Sequence, residues 1–191
     1  MQIVLASSSP YRAELLARLG LPFVTDSPAV DEQPLTDESA AELVRRLAQL
    51  KAEAVAANHN ESLIIGSDQA ALFDEQILGK PGTVTDARAQ LAILSGAEVS
   101  FLTSLCLLNT ASGNTDVTVV ETPVRFRHLT EDQIARYVER EMPLDCAGAF
   151  KSEGLGIALF ASIGGNDPSS LIGLPLIELC SMLSAQGIEV L

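Results

Sequence analysis

Apolar runs of strand length alternate with segments of helical period along this chain, and their order predicts a mixed α/β architecture. Residues 3–6 form a short buried-strand run; three serines follow, then a helical pattern from Pro10 in which Arg12, Leu15, Leu16 and Leu19 share a face. Ser9 suits the N-cap, Pro10 the first helical position and Gly20 the residue past the end. A possible strand at 23–25 leads into a loop. Ser39 with Glu42 then fits a capping box that opens a helix to about residue 57. On that helix Ala40, Val44, Leu47, Lys51 and Ala54 fall on one stripe. The run at 63–66 enters Ser67-Asp68-Gln69 and continues as strand through 70–73, with Asp74-Glu75 as a hairpin tip and 77–79 as the return. Thr85 is expected to cap a helix ending near Gly96. Two longer strands, 99–108 and 115–127, are joined by a turn at 109–114, and a change of phase around Pro123 predicts a bulge or bend. Thr130 with Gln133 is a second capping box, opening a helix to about residue 141 with Ile134, Tyr137 and Val138 inward. A glycine-punctuated loop at 145–156 precedes a strand at 157–163, a turn at 164–167, and a closing helix from Pro175 to about residue 185. Hairpins and strand-to-helix crossovers together imply a mixed sheet.

Composition narrows the class. A chain of 191 residues with 47% hydrophobic and 19% charged residues is folded and long enough to bury a sizeable core. No apolar run reaches the length of a membrane span and no basic segment leads the first strand, so a cytoplasmic location is expected. Cys106, Cys146 and Cys180 are odd in number and widely spaced, indicating neither a disulfide framework nor a zinc site. A net charge of −13 disfavours nonspecific contact with nucleic acid or an anionic membrane. An anionic ligand would need locally gathered cations, helped by a divalent metal, and with 12 Lys and Arg in all, each inward-facing one is informative.

Three stretches carry candidate chemistry. The serine loop before the first helix, with Arg12 in the first turn, is either a well-capped helix start or a seat for phosphate, since backbone N–H groups and the helix dipole favour an anion there. Lys51 interrupts an apolar stripe; it either snorkels to water or faces an anion. Asp68 comes at the carboxyl end of a buried run, a common place for a catalytic or metal-binding carboxylate, and the continuing strand leaves no helix for it to cap. The hairpin return is expected to carry Lys80 back toward Asp68. His59 and His128 pair with no serine or cysteine that the sequence can place, which makes a hydrolase triad a poor reading.

Taken together, Leu5-Ala-Ser-Ser-Ser-Pro-Tyr-Arg12, Val30-Asp-Glu32, Leu47-Ala-Gln-Leu-Lys51-Ala, Ile65-Gly-Ser-Asp-Gln69, Gly79-Lys-Pro81, Phe126-Arg-His-Leu129, Cys146-Ala-Gly-Ala-Phe150 and Ile172-Gly-Leu-Pro175 resemble the Maf family, in order and over the whole chain. The resemblance implies one domain over residues 1–191, with an inosine-triphosphatase-like α/β (mixed α+β) fold: a mixed twisted sheet flanked by helices, in two lobes about a cleft. It implies a cytoplasmic nucleoside-triphosphate pyrophosphatase, often a homodimer, that needs Mg²⁺ or Mn²⁺. Its partner would be a small nucleotide, with no nucleic-acid polymer and no membrane.

Within the family, the pyrimidine-specific subgroup carries Arg, Thr and Gln where this chain has Tyr11, Gln69 and Glu153. Gln69, Glu153 and the run Phe150-Lys-Ser-Glu-Gly154 are similar to the subgroup acting on 7-methyl-GTP, which usually has Trp at the position of Tyr11. A methylated guanine is cationic on its ring, so an aromatic face and a carboxylate suit it, and Gln69 can donate or accept at the base edge. The resemblance makes Asp68 the general base, or the residue that orients the attacking water. It assigns Ser7, Ser9, Arg12, Lys51 and Lys80 to phosphate, and Glu32 with Asp68 to the metal. Two alternatives stand beside this: preference for dTTP, UTP or another modified nucleotide, and a nucleotide-binding regulator of septum formation that could dispense with Asp68.

Overall fold

Alternation on the first strand decides the layering. In the computed structural model, which describes residues 1–191, β1 (Gln2–Ala6) contributes Ile3 and Leu5 to one buried cluster and Val4 and Ala6 to another. β1 pairs in parallel with β2 (Phe23–Asp26) and β3 (Ser62–Phe73), Ile3 lying opposite both Phe23 and Leu63. A parallel strand covered on both faces is expected to be apolar at every position, and residues 3–6 are. The first cluster receives Leu15 and Leu16 from α1 (Pro10–Ala17) and Leu179 and Leu183 from α5 (Leu176–Ala185). The second receives Ala48, Ala52 and Val55 from α2 (Ala40–Ala56). Each fully buried leucine contributes roughly 1.5–3 kcal/mol.

The remaining elements are β4 (Gln76–Leu78), α3 (Val84–Leu94), β5 (Glu98–Asn109), β6 (Thr115–Phe126), α4 (Glu131–Glu141) and β7 (Phe160–Ile163). Short 3₁₀ turns lie at Ala147–Ala149, Leu155–Leu159 and Ser170–Ile172. The seven strands form one sheet in the order β2-β1-β3-β5-β6-β7, with β4 on β3. Parallel pairing of β1 and antiparallel pairing of β3 with β4 and of β6 with β7 make it the mixed sheet expected. The chain divides into two compact units. Residues 1–69, 103–120 and 167–191 make the first, and residues 70–102 and 121–166 the second. The second unit is built on Phe101, Phe126, Phe150 and Phe160, whose rings meet edge to face at centroid distances of 4.8–5.9 Å. No helix is long and apolar enough to cross a membrane.

Both capping boxes form as expected, on Ser39 with Glu42 and Thr130 with Gln133, and Ile134, Tyr137 and Val138 are buried. Four local expectations are corrected. Thr83 caps α3 in place of Thr85, because three residues on stands Asp86, whose amide and carboxylate both bond the Thr83 hydroxyl; Arg88 could not do this for Thr85. The stripe on α2 turns through Ala48, Ala52 and Val55 and leaves Ala54 exposed. The strand expected at 157–163 begins only at Phe160, since the Gly156 amide bonds the Lys151 carbonyl and holds the preceding residues in a tight turn. The irregularity of β6 against β7 falls between Arg125 and Phe126, past Pro123. Pro175 opens α5 as expected, and the first free amides of that helix are met from the preceding turn: Ser169 Oγ and Asp167 Oδ2 accept from the Leu176 and Ile177 amides at 2.9 and 2.8 Å.

Candidate active site

Asp68 follows the buried run at 63–66 and lies within β3, which continues to Phe73 as the sequence implied, so no helix follows for it to cap. Its carboxylate is buried and its Oδ1 accepts from Lys51 Nζ at 2.6 Å. The same ammonium sits 2.6 Å from Glu32 Oε1, so one cation holds two carboxylates brought from a loop and a strand. Lys51 is 7% exposed, which excludes the snorkelling reading. No protein group donates to Asp68 Oδ2.

Two small residues allow this approach. Gly66, two residues before Asp68, lets α2 press against β3: a Cβ there would stand 2.1 Å from the Ala48 carbonyl oxygen and 3.1 Å from the Ala52 amide nitrogen. Ser104 on β5 accepts from the Asp68 amide at 3.1 Å, and its hydroxyl lies 2.6 Å from the Val44 carbonyl of α2, on which it donates. The backbone around Asp68 is thus tied directly to the helix that carries Lys51.

The serine loop supplies hydroxyls and a guanidinium. Ser7 Oγ accepts from the Ser9 amide at 3.1 Å, and Ser9 Oγ accepts from the Arg12 amide at 3.4 Å. Pro10 has no N–H to offer. The amides of Ser9 and Arg12, which the sequence left open for an anion, are therefore used inside the loop, while both hydroxyl hydrogens stay available to donate. Arg12 Nε donates to the Gly173 carbonyl at 2.9 Å. Gly173 has φ +123°, a left-handed conformation that suits glycine, and its carbonyl also accepts from Ser67 Oγ at 2.9 Å. Loss of hydration lowers the Arg12 pKa from its ordinary value, and the charges of Asp68 and Glu32 work the other way. Arg12, Glu32, Lys51 and Asp68 therefore act on one another as one charged cluster.

Tyr11 follows Pro10 on α1 and is half-buried. Gln69, beside Asp68, is half-buried and its amide nitrogen faces Thr103 Oγ1 at 2.8 Å and the Ser170 and Leu171 carbonyls at 2.9 and 3.2 Å. The expectation that it could donate as well as accept is corrected: its donors are taken.

Lys80 and Glu153 belong to the second unit, and both are exposed. Lys80 lies two residues beyond β4. Glu153 sits in a loop secured to α4: the Lys151 amide donates to Tyr137 Oη at 2.9 Å, Lys151 Nζ to the Glu141 carbonyl at 3.0 Å, and the Leu155 amide to Glu141 Oε1 at 3.1 Å. Elsewhere, His59 Nε2 pairs with Asp26 Oδ2 at 2.9 Å. No group of three or more His, Cys, Asp or Glu side chains gathers as a metal site.

With this geometry in place, comparison with known proteins decides the family. Residues 2–186 match the family described as Maf-like protein. The chain belongs to the Maf family. This Maf chain is 56% identical over 188 residues to a Pseudomonas aeruginosa protein named 7-methyl-GTP pyrophosphatase, covering 98% of each. Proteins of the same name from Nitrosococcus oceani and Alcanivorax borkumensis are each 54% identical, covering 99% and 98% of this chain and 95% of their own lengths. Among solved structures, the Staphylococcus aureus Ham1 protein superposes with a TM-score of 0.55 at 14% identity, covering 97% of this chain and all of that one. That likeness concerns the fold alone, and it bears out the fold class the sequence implied.

The residues that sequence reasoning missed are those acting through others: Gly66, Ser104, Thr103 and Gly173. Their signal lies in the packing, because an isolated serine or glycine within a strand or loop reads as filler.

Proposed function

We propose that this chain is a nucleoside-triphosphate pyrophosphatase, a single catalytic domain that hydrolyses 7-methyl-GTP to 7-methyl-GMP and pyrophosphate. The observation that carries the chemistry is the cluster of Lys51 with Asp68 and Glu32, whose charges act on Arg12, the residue that the Ser7–Ser9 loop leads into. The relatives' shared name supports the substrate.

A water attacks phosphorus in line, its oxygen forming the new P–O bond while the bond to the departing pyrophosphate breaks. Asp68 takes the water's proton, and Oδ2, to which no protein group donates, is the atom suited to it. Arg12 and Lys51 balance charge on the phosphate oxygens, Ser7 and Ser9 donate to them, and Lys80 is assigned the same task. Glu32 and Asp68 would hold Mg²⁺ or Mn²⁺: hard cations take one or two carboxylates when waters and phosphate oxygens supply the rest, and two carboxylates on one ammonium fit that number. Such an ion supplies charge neutralisation at the phosphates. Tyr11 supplies an aromatic face and Glu153 a carboxylate for the cationic base. Three free cysteines suit a reducing cytoplasm, and the homodimer implied by the resemblance is checked by light scattering.

Asp68→Asn lowers pyrophosphate release by about 10²–10⁴-fold, the span of general base catalysis, while the circular dichroism spectrum is unchanged. Near-normal turnover in that variant removes Asp68 from the reaction. Tyr11→Arg and Glu153→Gln each reduce kcat/KM for 7-methyl-GTP far more than for UTP; equal losses on both substrates contradict the base assignment.

A further inference from the structure

The side-chain amide of Gln69 has one orientation open to it. Its Nε2 faces Thr103 Oγ1 at 2.8 Å and the carbonyls of Ser170 and Leu171 at 2.9 and 3.2 Å. Carbonyls only accept. Thr103 Oγ1 lies 2.9 Å from the same Ser170 carbonyl and spends its single hydrogen there, so toward Gln69 it too can only accept. A flipped amide would set Oε1 against three acceptors. Both amide hydrogens are thus used within the protein, and no protein group donates to Oε1, on a half-buried residue adjoining Asp68. Thr103 is fully buried on β5 and has no route to a ligand of its own.

We propose that Thr103 is a positioning residue for base selection, holding the Gln69 amide so that a nucleotide meets only its carbonyl oxygen. This rests on the reading of Gln69 as a base contact. The consequence is a polarity rule: the base edge at Gln69 has to bring a donor, which in 7-methylguanine is the ring N1–H or the exocyclic 2-amine. A base edge that places an acceptor or a carbon there leaves Oε1 unpaired, and a site built around a hydrogen bond rejects a ligand that lacks its partner.

The test measures kcat/KM for 7-methyl-GTP, 7-methyl-ITP (no 2-amine) and 1,7-dimethyl-GTP (no N1–H) with wild type, Gln69→Met, Thr103→Val and Thr103→Ser. Wild type loses about tenfold or more on at least one analogue, the size of one hydrogen bond left unmade. Gln69→Met brings that same penalty to within about twofold, because no acceptor remains to be disappointed. Thr103→Val removes one of the three acceptors that hold Nε2, so the amide turns toward the remaining Ser170 and Leu171 carbonyls, Oε1 shifts off the base edge and the penalty shrinks several-fold. Thr103→Ser, which keeps the hydroxyl, restores it. A role confined to packing would lower all three substrates together and leave their ratios unchanged. Equal penalties in wild type and Gln69→Met, or no penalty in wild type, overturn the polarity rule. A wild-type penalty in folded Thr103→Val overturns the positioning role, and if that variant does not fold, loss of the penalty in Thr103→Ser overturns it. Absence of turnover on 7-methyl-GTP, with another triphosphate hydrolysed, defeats the substrate reading itself and this inference with it.

Discussion

Lys51 shows how much one side chain can state. It breaks an apolar stripe on α2 and remains buried, and both facts follow from the two carboxylates at 2.6 Å. Removing one partner from such a buried pair leaves the other charge uncompensated, so truncating Lys51 is expected to destabilise the fold. The cysteines make the opposite case. Burial pushes the thiols of Cys106 and Cys146 up to about 12. At neutral pH both are thiols and poor nucleophiles, so a covalent cysteine mechanism has no support here. The sign of the linked stability follows: a raised folded pKa gives a contribution that is whole below the ordinary value of 9.0 and lost as pH climbs toward about 12. At pH 8, iodoacetamide should label Cys106 and Cys146 much more slowly in the folded chain than in the unfolded one. Equal labelling rates would contradict the burial described.

At the level of elements, Gly66 sets how closely α2 lies on β3. Gly66→Ala drives a Cβ to 2.1 Å from the Ala48 backbone oxygen, an atom that moves only if the helix moves. The expected outcome is a loss of about 3 kcal/mol or more in chemical denaturation, at the upper end for overpacked cores. Pyrophosphate release should also fail in the molecules that stay folded, because Lys51 leaves Asp68. An unchanged denaturation midpoint would contradict this packing. Elements of this kind divide what was legible in the sequence from what was not. Capping boxes on Ser39 and Thr130 and the inward face of α4 were readable because each rests on neighbours three or four residues apart. The cap of α5 was not, since Asp167 and Ser169 reach Ile177 and Leu176 across a turn of seven to ten residues. Asp68 and Lys51 could be singled out by type and pattern, but their pairing depends on Gly66 and Ser104, which carry no local signature. Gln69 was read with both hydrogen-bonding capacities, and only the distant carbonyls of Ser170 and Leu171 remove one of them.

For the whole molecule, charge is the governing quantity. At −13 the chain repels polyanions in bulk, yet Arg12 and Lys51 are gathered beside carboxylates that two-carboxylate metal chemistry could use. That arrangement suits a small, compact anion handled at one point and does not suit a long backbone read along a surface. Family membership over residues 2–186 and a fold shared with the Ham1 protein agree with the sheet and helices seen here. The most direct measurement is pyrophosphate release by the purified protein with Mg²⁺ or Mn²⁺, across the ordinary nucleoside triphosphates and 7-methyl-GTP. The account predicts a clear preference for 7-methyl-GTP in kcat/KM. Release mainly from UTP or dTTP would contradict the substrate, and release from none of them would contradict the enzyme.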